Sequence, residues 1–207
     1  MGADFTYTTE VRAEINAGVV GSIYLVGGGD PLLAASWYPD DLTLSKYPQQ
    51  PATSLEALAD SVVTAGVTQI TGNVVGDASH YDEELYPPSW PIGFRAIQGG
   101  PISGLLVNDG AVLGASMKST NPAMGAAQEF YRLLKERGVT IVGAPASGMS
   151  PVGLPTVAAI QSAPLIDIIG EMLRNSDNNT AEMMLKEIGF RVSGVGSRAA
   201  GASAVMA

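Results

Sequence analysis

Apolar positions along the chain fall into short alternating runs first and into helical spacings later. Residues 5–12 (Phe-Thr-Tyr-Thr-Thr-Glu-Val-Arg) are rich in β-branched and aromatic side chains and predict a strand. Ile15-Asn16-Ala17-Gly18 supplies turn chemistry, and residues 19–26 predict the returning strand of a hairpin. Thr53-Ser54-Leu55-Glu56 has the T-x-x-E form of a capping box. Behind it Leu55, Leu58, Ala59, Val62 and Val63 keep the spacing of an amphipathic helix, stopped by Gly66 where a left-handed cap residue is expected. Residues 67–75 then predict a strand.

A second helix opens with Asn121 as N-cap and Pro122 in its first turn. Phe130, Leu133 and Leu134 form its apolar side, and Gly138 ends it before a short strand over 139–142. The two units share a helix-Gly-Val-Thr-strand pattern (Gly66-Val67-Thr68, Gly138-Val139-Thr140), which reads as the usual helix-to-strand connection recurring rather than as a remote duplication. Between them residues 76–101 carry four prolines and read as a long irregular segment. Residues 143–155 read as a Pro/Gly/Ser boundary, followed by a strand over 156–161. Next comes a helix over 164–174 with Leu165, Ile168, Ile169, Met172 and Leu173 inward. After a break at 175–178, Asn179 and Glu182 suggest a second capping box, and Ser197 the N-cap of an Ala-rich terminal helix. The chain opens in a strand and stops in a helix, so both ends read as cut from a longer protein.

Composition narrows the chemistry. The 207 residues are 46% apolar and 15% charged, which argues against disorder. Lys and Arg number 11 against 20 Asp and Glu, a formal charge of −9, which speaks against nucleic acid and anionic lipid as partners. There is no cysteine and one histidine, His80, so thiol nucleophiles, Cys-based metal sites and multi-His sites are excluded. Acid–base work would fall to Lys, Asp, Glu, Tyr or Ser, and no metal or other cofactor is expected. No signal peptide is visible, and the most apolar stretch, residues 19–26, is far too short to span a bilayer.

Three places invite a chemical reading. Gly27-Gly28-Gly29-Asp30 follows a strand, but it lacks the context of a dinucleotide or P-loop motif and reads better as a tight turn. His80 sits among Asp77, Asp82, Glu83 and Glu84, which reads as a solvated acidic loop. The third is Asn175-Ser176-Asp177-Asn178-Asn179-Thr180. Such residues compete with helical hydrogen bonds and make helix–helix turns. They also offer a hydroxyl (Ser176) and an amide (Asn178) two positions apart, able to relay a proton and hold a substrate amide.

That segment, with Gln161-Ser162-Ala163-Pro164-Leu165 before it, resembles the second motif region of class C low-molecular-mass penicillin-binding proteins, the D-alanyl-D-alanine carboxypeptidases and endopeptidases. The resemblance extends through Thr8-Thr9-Glu10-Val11, Leu25 to Pro31, Gly72 to Asp77, Gly100 to Leu105 with Val107-Asn108, and Gly196-Ser197 with Ala199 to Gly201. It implies an α+β fold: insert domain(s) plus part of a β-lactamase/transpeptidase-like catalytic domain. The expected units are residues 1–79 with 139–160 (insert domain), 80–138 (smaller nested insert) and 161–207 (partial catalytic domain carrying S-D-N).

Enzymes of this class place S-x-x-K, S-x-N and K-[TS]-G around one cleft. No serine here has Lys three residues on, and neither Lys-Thr-Gly nor Lys-Ser-Gly occurs. The resemblance therefore implies the middle of such an enzyme, inactive by itself. Ser176 would relay a proton and Asn178 would bind the substrate's backbone amide. Asp77, with Tyr81 beside it, would contact the amino end of the peptide side chain. Lys186, down the following helix, reads as a solvated residue. The implied partners are peptidoglycan stem peptides and β-lactams, in the periplasm or cell-wall space. A non-enzymatic peptidoglycan- or partner-binding module, with Ser176 and Asn178 as ordinary turn residues, is the competing expectation.

Overall fold

The computed structural model describes residues 1–38, 52–95 and 99–207. The chain order is β1 (Thr8–Arg12), β2 (Val19–Val20), β3 (Ile23–Val26), β4 (Leu33–Ala34), β5 (Thr53–Ser54), α1 (Leu55–Thr64), β6 (Gln69–Ile70) and β7 (Val74–Asp77). After a single 3-10 turn, Asn108–Gly110, come α2 (Pro122–Glu136), β8 (Thr140–Ile141), β9 (Pro145–Ser147), β10 (Thr156–Gln161), α3 (Leu165–Asn175), α4 (Asn178–Ser193) and α5 (Arg198–Met206).

Five strands form the main sheet in the order β10-β1-β3-β7-β9. β1 pairs antiparallel with both β10 and β3, and β3, β7 and β9 run parallel. A parallel three-stranded sheet, β2-β6-β8, extends from it, and β4 pairs with β5. The two predicted strands at 19–26 and 67–75 thus each break in two. They break side by side: Gly72 donates its N–H to the Gly21 carbonyl, and a Cβ on Gly72 would lie 2.4 Å from Ser22 Oγ. Residues 143–155, expected as a boundary, instead contribute β9 to the main sheet. Thr68 and Thr140 follow equivalent helices and become neighbours, Thr140 N–H donating to the Thr68 carbonyl.

α1 and α2 pack side by side on this frame, α1 against β10 and α2 against β7 and β9. Leu55, Leu58, Ala59 and Val62 of α1 share one core with Ala126, Phe130, Leu133 and Leu134 of α2 and with Val11, Ile23, Leu25 and Val74 of the sheet. Residues 80–138, expected as a nested unit, thereby lend α2 to the same core. Asn121 caps α2 as predicted, accepting from Met124 N–H. The cap of α1 is Ser54 rather than Thr53: its Oγ accepts from Ala57 N–H, while Glu56 turns to Ser36 N–H at 2.7 Å. Thr53 is occupied by strand pairing with Leu33.

Two smaller apolar clusters seat the C-terminal helices. Tyr7 and Leu32 pack with Leu165 and Ile168 of α3, and Tyr81, Ile102 and Leu106 pack with Met183 of α4. Leu173, expected inward, is 71% exposed because the inner face of α3 is filled by Leu165, Ile168 and Glu171. Gly201 lets α5 lie directly on α4, since a Cβ there would meet the Leu185 carbonyl oxygen at 1.9 Å.

The Gly27–Gly29 run is a site of close backbone crossing. Added Cβ atoms would lie 2.2 Å from the Gly104 carbonyl oxygen, 2.1 Å from that of Thr8, and 2.2 Å from the Tyr81 hydroxyl. The neighbouring Asp30 is 3% exposed, with Leu32 N–H donating to its Oδ1. Burial pushes its carboxyl up to about 6.

Two measurements follow from this architecture. Phe130 has no exposed surface, and Phe130→Ala should cost about 3–5 kcal/mol in chemical denaturation. The folded state holds the Asp30 proton more tightly than the unfolded chain does, so its contribution to stability is lost as pH rises from about 4 to about 6. Asp30→Asn retains the acceptor for Leu32 and should gain on the parent across that interval, by about 2–3 kcal/mol at neutral pH.

Candidate functional site

The break between α3 and α4 is built from capping chemistry. Ser176 ends α3 in the left-handed region (φ +56°) and is exposed. Asp177 returns to extended backbone and caps α4, its carboxylate accepting from the N–H groups of Asn179 (2.9 Å) and Thr180 (3.2 Å). Thr180 Oγ1 also donates to it at 2.6 Å. The predicted capping box on Asn179 and Glu182 is therefore displaced by two residues. Asn178 is the first residue of α4 and half-buried. A hydroxyl at the end of one helix and an amide at the start of the next are thus set by a single tight turn.

Asn179 is 4% exposed, freed from capping and turned sideways. Its Oδ1 accepts from Gly100 N–H at 2.7 Å, and its Nδ2 donates to Asp109 Oδ1. The other Asp109 oxygen takes Lys118 Nζ. Asn108, Asp109 and Gly110 are all left-handed, at φ +55°, +53° and +80°. Asn108 is 1% exposed, and its Oδ1 accepts from Ala35 N–H at 2.7 Å. Burial raises the Asp109 carboxyl, with Lys118 opposing and Asp177 reinforcing the shift. Burial also raises Glu171, whose Oε1 accepts from Asn175 at the end of α3. Residues held in sparsely populated backbone regions cost about 1–3 kcal/mol each and gather where a surface has to be held in one shape.

Asp77 and Tyr81 lie together elsewhere, in the wall of a cavity of about 700 Å³ beyond the carboxyl ends of β7 and β9 and the start of α2. Neither Ser176 nor Asn178 lines it. The Asp77 carboxylate accepts from Ser79 N–H (2.9 Å) and Ser150 N–H (2.7 Å), pinning two loops. The Tyr81 hydroxyl donates to Glu187 at 3.1 Å and is raised by burial.

The acidic loop is less solvated than its composition suggests. Lys186 is 1% exposed, donating to Asp82 Oδ1 at 2.6 Å and to the Glu84 carbonyl at 2.7 Å, which overturns its reading as a solvated residue. His80 reaches Glu187 across 2.7 Å and stacks near Phe190, and Arg191 donates to the other Glu187 oxygen at 2.6 Å. Hydrogen bonds from His80 and Arg191 hold the Glu187 carboxyl below its ordinary value in spite of burial. Asp109 and Lys118 carry no site signal in the sequence beyond the neighbouring Val107-Asn108, and Asn179 reads there only as a helix cap. Among the described residues no cluster of acids and histidine is arranged to hold a metal ion.

The chain thus combines a mixed α/β fold with a Ser-Asp-Asn turn between two helices. The family described as D-Ala-D-Ala carboxypeptidase 3 (S13) matches residues 1–114 and 99–207, and the chain belongs to it. It is 29% identical over 211 residues to a carboxypeptidase of Mycobacterium tuberculosis, covering 89% of this chain and 40% of that protein. It is 32% identical over 182 residues to a D-alanyl-D-alanine carboxypeptidase of an Actinomadura species, covering 79% and 30%. The chain therefore spans less than half the length of these relatives. Penicillin-binding protein 4 of Haemophilus influenzae has the same fold at a TM-score of 0.80 and 16% identity, over 99% of this chain and 57% of that one. A β-lactam complex of that protein superposes at 0.62, over 99% and 55%.

Because left-handed backbone is free of cost only for glycine, Ser176→Gly should exceed Ser176→Ala in stability by about 1 kcal/mol, read as a midpoint about 2–4 °C higher.

Proposed function

We propose that this chain is the insert-bearing middle of a serine-type D-alanyl-D-alanine carboxypeptidase or endopeptidase of peptidoglycan, and that its Ser176-Asp177-Asn178 turn forms one wall of the catalytic cleft. The observation that carries the reading is the family match along the chain, with S-D-N falling at the α3–α4 junction. The parent enzyme would attack the penultimate D-Ala carbonyl with the serine of S-x-x-K, release the terminal residue and hydrolyse the acyl-enzyme. β-Lactams would acylate the same serine.

In this scheme Ser176 Oγ passes a proton between the motif lysine and the leaving amine. The exposed position of Ser176 supports that role, since a relay has to meet both groups. Asn178, with a donor and an acceptor on one short side chain, holds the peptide backbone of the substrate. Asp77 and Tyr81 enter as walls of the neighbouring cavity toward the amino end of the stem peptide, Asp77 keeping acceptor capacity beyond the two amides it already serves. No nucleophile of S-x-x-K type lies in the 207 residues, so the chain alone binds without turnover. Peptidoglycan places the parent's work outside the cytoplasm. Among the described residues no helix is long and apolar enough to cross a membrane.

Titration of the chain with a peptide ending in D-Ala-D-Ala, followed by amide NMR, is expected to shift residues 176–180. Asn178→Ala should weaken binding about tenfold, the worth of roughly one well-placed hydrogen bond. No D-alanine should be released. Unchanged affinity in Asn178→Ala would overturn the cleft assignment and favour a binding module instead. Release of D-alanine would overturn the assignment of the nucleophile to S-x-x-K.

A further inference from the structure

The geometry points to Asp109 and Asn179 as positioning residues for the Ser176-Asp177-Asn178 turn: the pair locks the first turn of α4 to the insert, and so fixes where the serine hydroxyl and asparagine amide are presented. The inference rests on the cleft reading above for its function, and on the hydrogen-bond network alone for its geometry.

Asn179 is bonded at three points. Its backbone N–H goes to the Asp177 carboxylate, its Oδ1 takes Gly100 N–H, and its Nδ2 goes to Asp109 Oδ1. Rotation of the first turn of α4 about the helix axis would break the last two together. The opposite side is equally constrained. Asp109 is fixed by Lys118 on its other oxygen, and its backbone belongs to the left-handed run anchored through Asn108 to Ala35 N–H. Gly100 is tight on all sides, since a Cβ there would lie 2.5 Å from Asn179 Nδ2 and 2.9 Å from both the Asp109 carbonyl oxygen and Lys118 Nζ. Three segments therefore meet at one amide side chain: the backbone at Gly100, the turn at 108–110 and α4 itself. A single amide that satisfies a carboxylate and a backbone N–H at once cannot rotate without leaving a partner unpaired. Neither Asp109 nor Asn179 needs to touch substrate in this role; both act through the residue next to Asn179.

The pair is chemically reciprocal, which provides the test. Asn179→Asp sets two carboxylates against each other. In Asp109→Asn/Asn179→Asp, the carboxylate at 179 accepts from Gly100 N–H and from the new amide at 109, whose oxygen remains for Lys118. Every bond is kept, and only the one between 109 and 179 exchanges donor and acceptor. Amide chemical shifts of Ser176 and Asn178 and the affinity for a D-Ala-D-Ala peptide are measured in the parent chain and the variants. Asn179→Asp should move both amides and weaken peptide binding tenfold or more. The double substitution should return the amides to the parent positions and the affinity to within about twofold. Val62→Ala, a destabilised core variant remote from the turn, should leave both amides in place. Unmoved amides in Asn179→Asp, or no recovery in the double variant, would overturn the inference. Should the parent chain bind no peptide, the cleft reading falls, and the amide shifts still decide the positioning role.

Discussion

The candidate site depends on one reversal of backbone handedness. Ser176 takes a left-handed conformation after α3 and Asp177 an extended one, and these two residues separate the helices. The reversal frees the last carbonyls of α3 and the first N–H groups of α4, and Asp177 answers the latter with its carboxylate. The residue types proposed to act at this turn are thus also the types that helix termination asks for. The serine tolerates the turn, the aspartate caps the next helix, and the asparagine begins it.

Around the break the segment between β7 and α2 supplies rigidity through buried polar groups rather than through apolar contact alone. Lys186 and Glu187, adjacent on α4, point into opposite partner sets: Lys186 to Asp82 and the Glu84 carbonyl, Glu187 to His80, Tyr81 and Arg191. Buried charges persist only when fully matched. Their pairing ties the middle of α4 to the loop after β7, while Asn179 ties its first turn to the loop at 108–110. α4 is held at two heights by the segment between β7 and α2.

What was legible in the sequence was local. The cap of α2 at Asn121, the helix stop at Gly138 and the Ser197 cap of α5 each depend on residues within one turn, and each is found as read. The inward faces of α1 and α2 followed from periodicity. What escaped was set by distant pairing. β9 lies in a Pro/Gly/Ser run whose only reason to be extended is β7 beside it. Lys186 reads as solvated on any helical wheel until a loop more than 100 residues away covers it. Asp109 and Asn179 stand 70 positions apart, and neither has a neighbour in sequence that announces the other. The paired breaks at Gly21-Ser22 and Thr71-Gly72 had a signal, two turn-forming dipeptides inside apolar runs, yet only the parallel alignment of the two strands gives it meaning.

The place of β1 has a consequence for synthesis. It sits between β3 and β10, with Thr8 facing Gln161. Its first partner follows almost at once in sequence, and its second about 150 residues further on. At about 5–20 residues per second, one edge of β1 stays unpaired for roughly seven to thirty seconds of translation. A strand edge open for that long is a template for other strands, and the charged pair Glu10 and Arg12 on β1, bonded to each other at 2.8 Å, is the kind of feature that discourages such pairing.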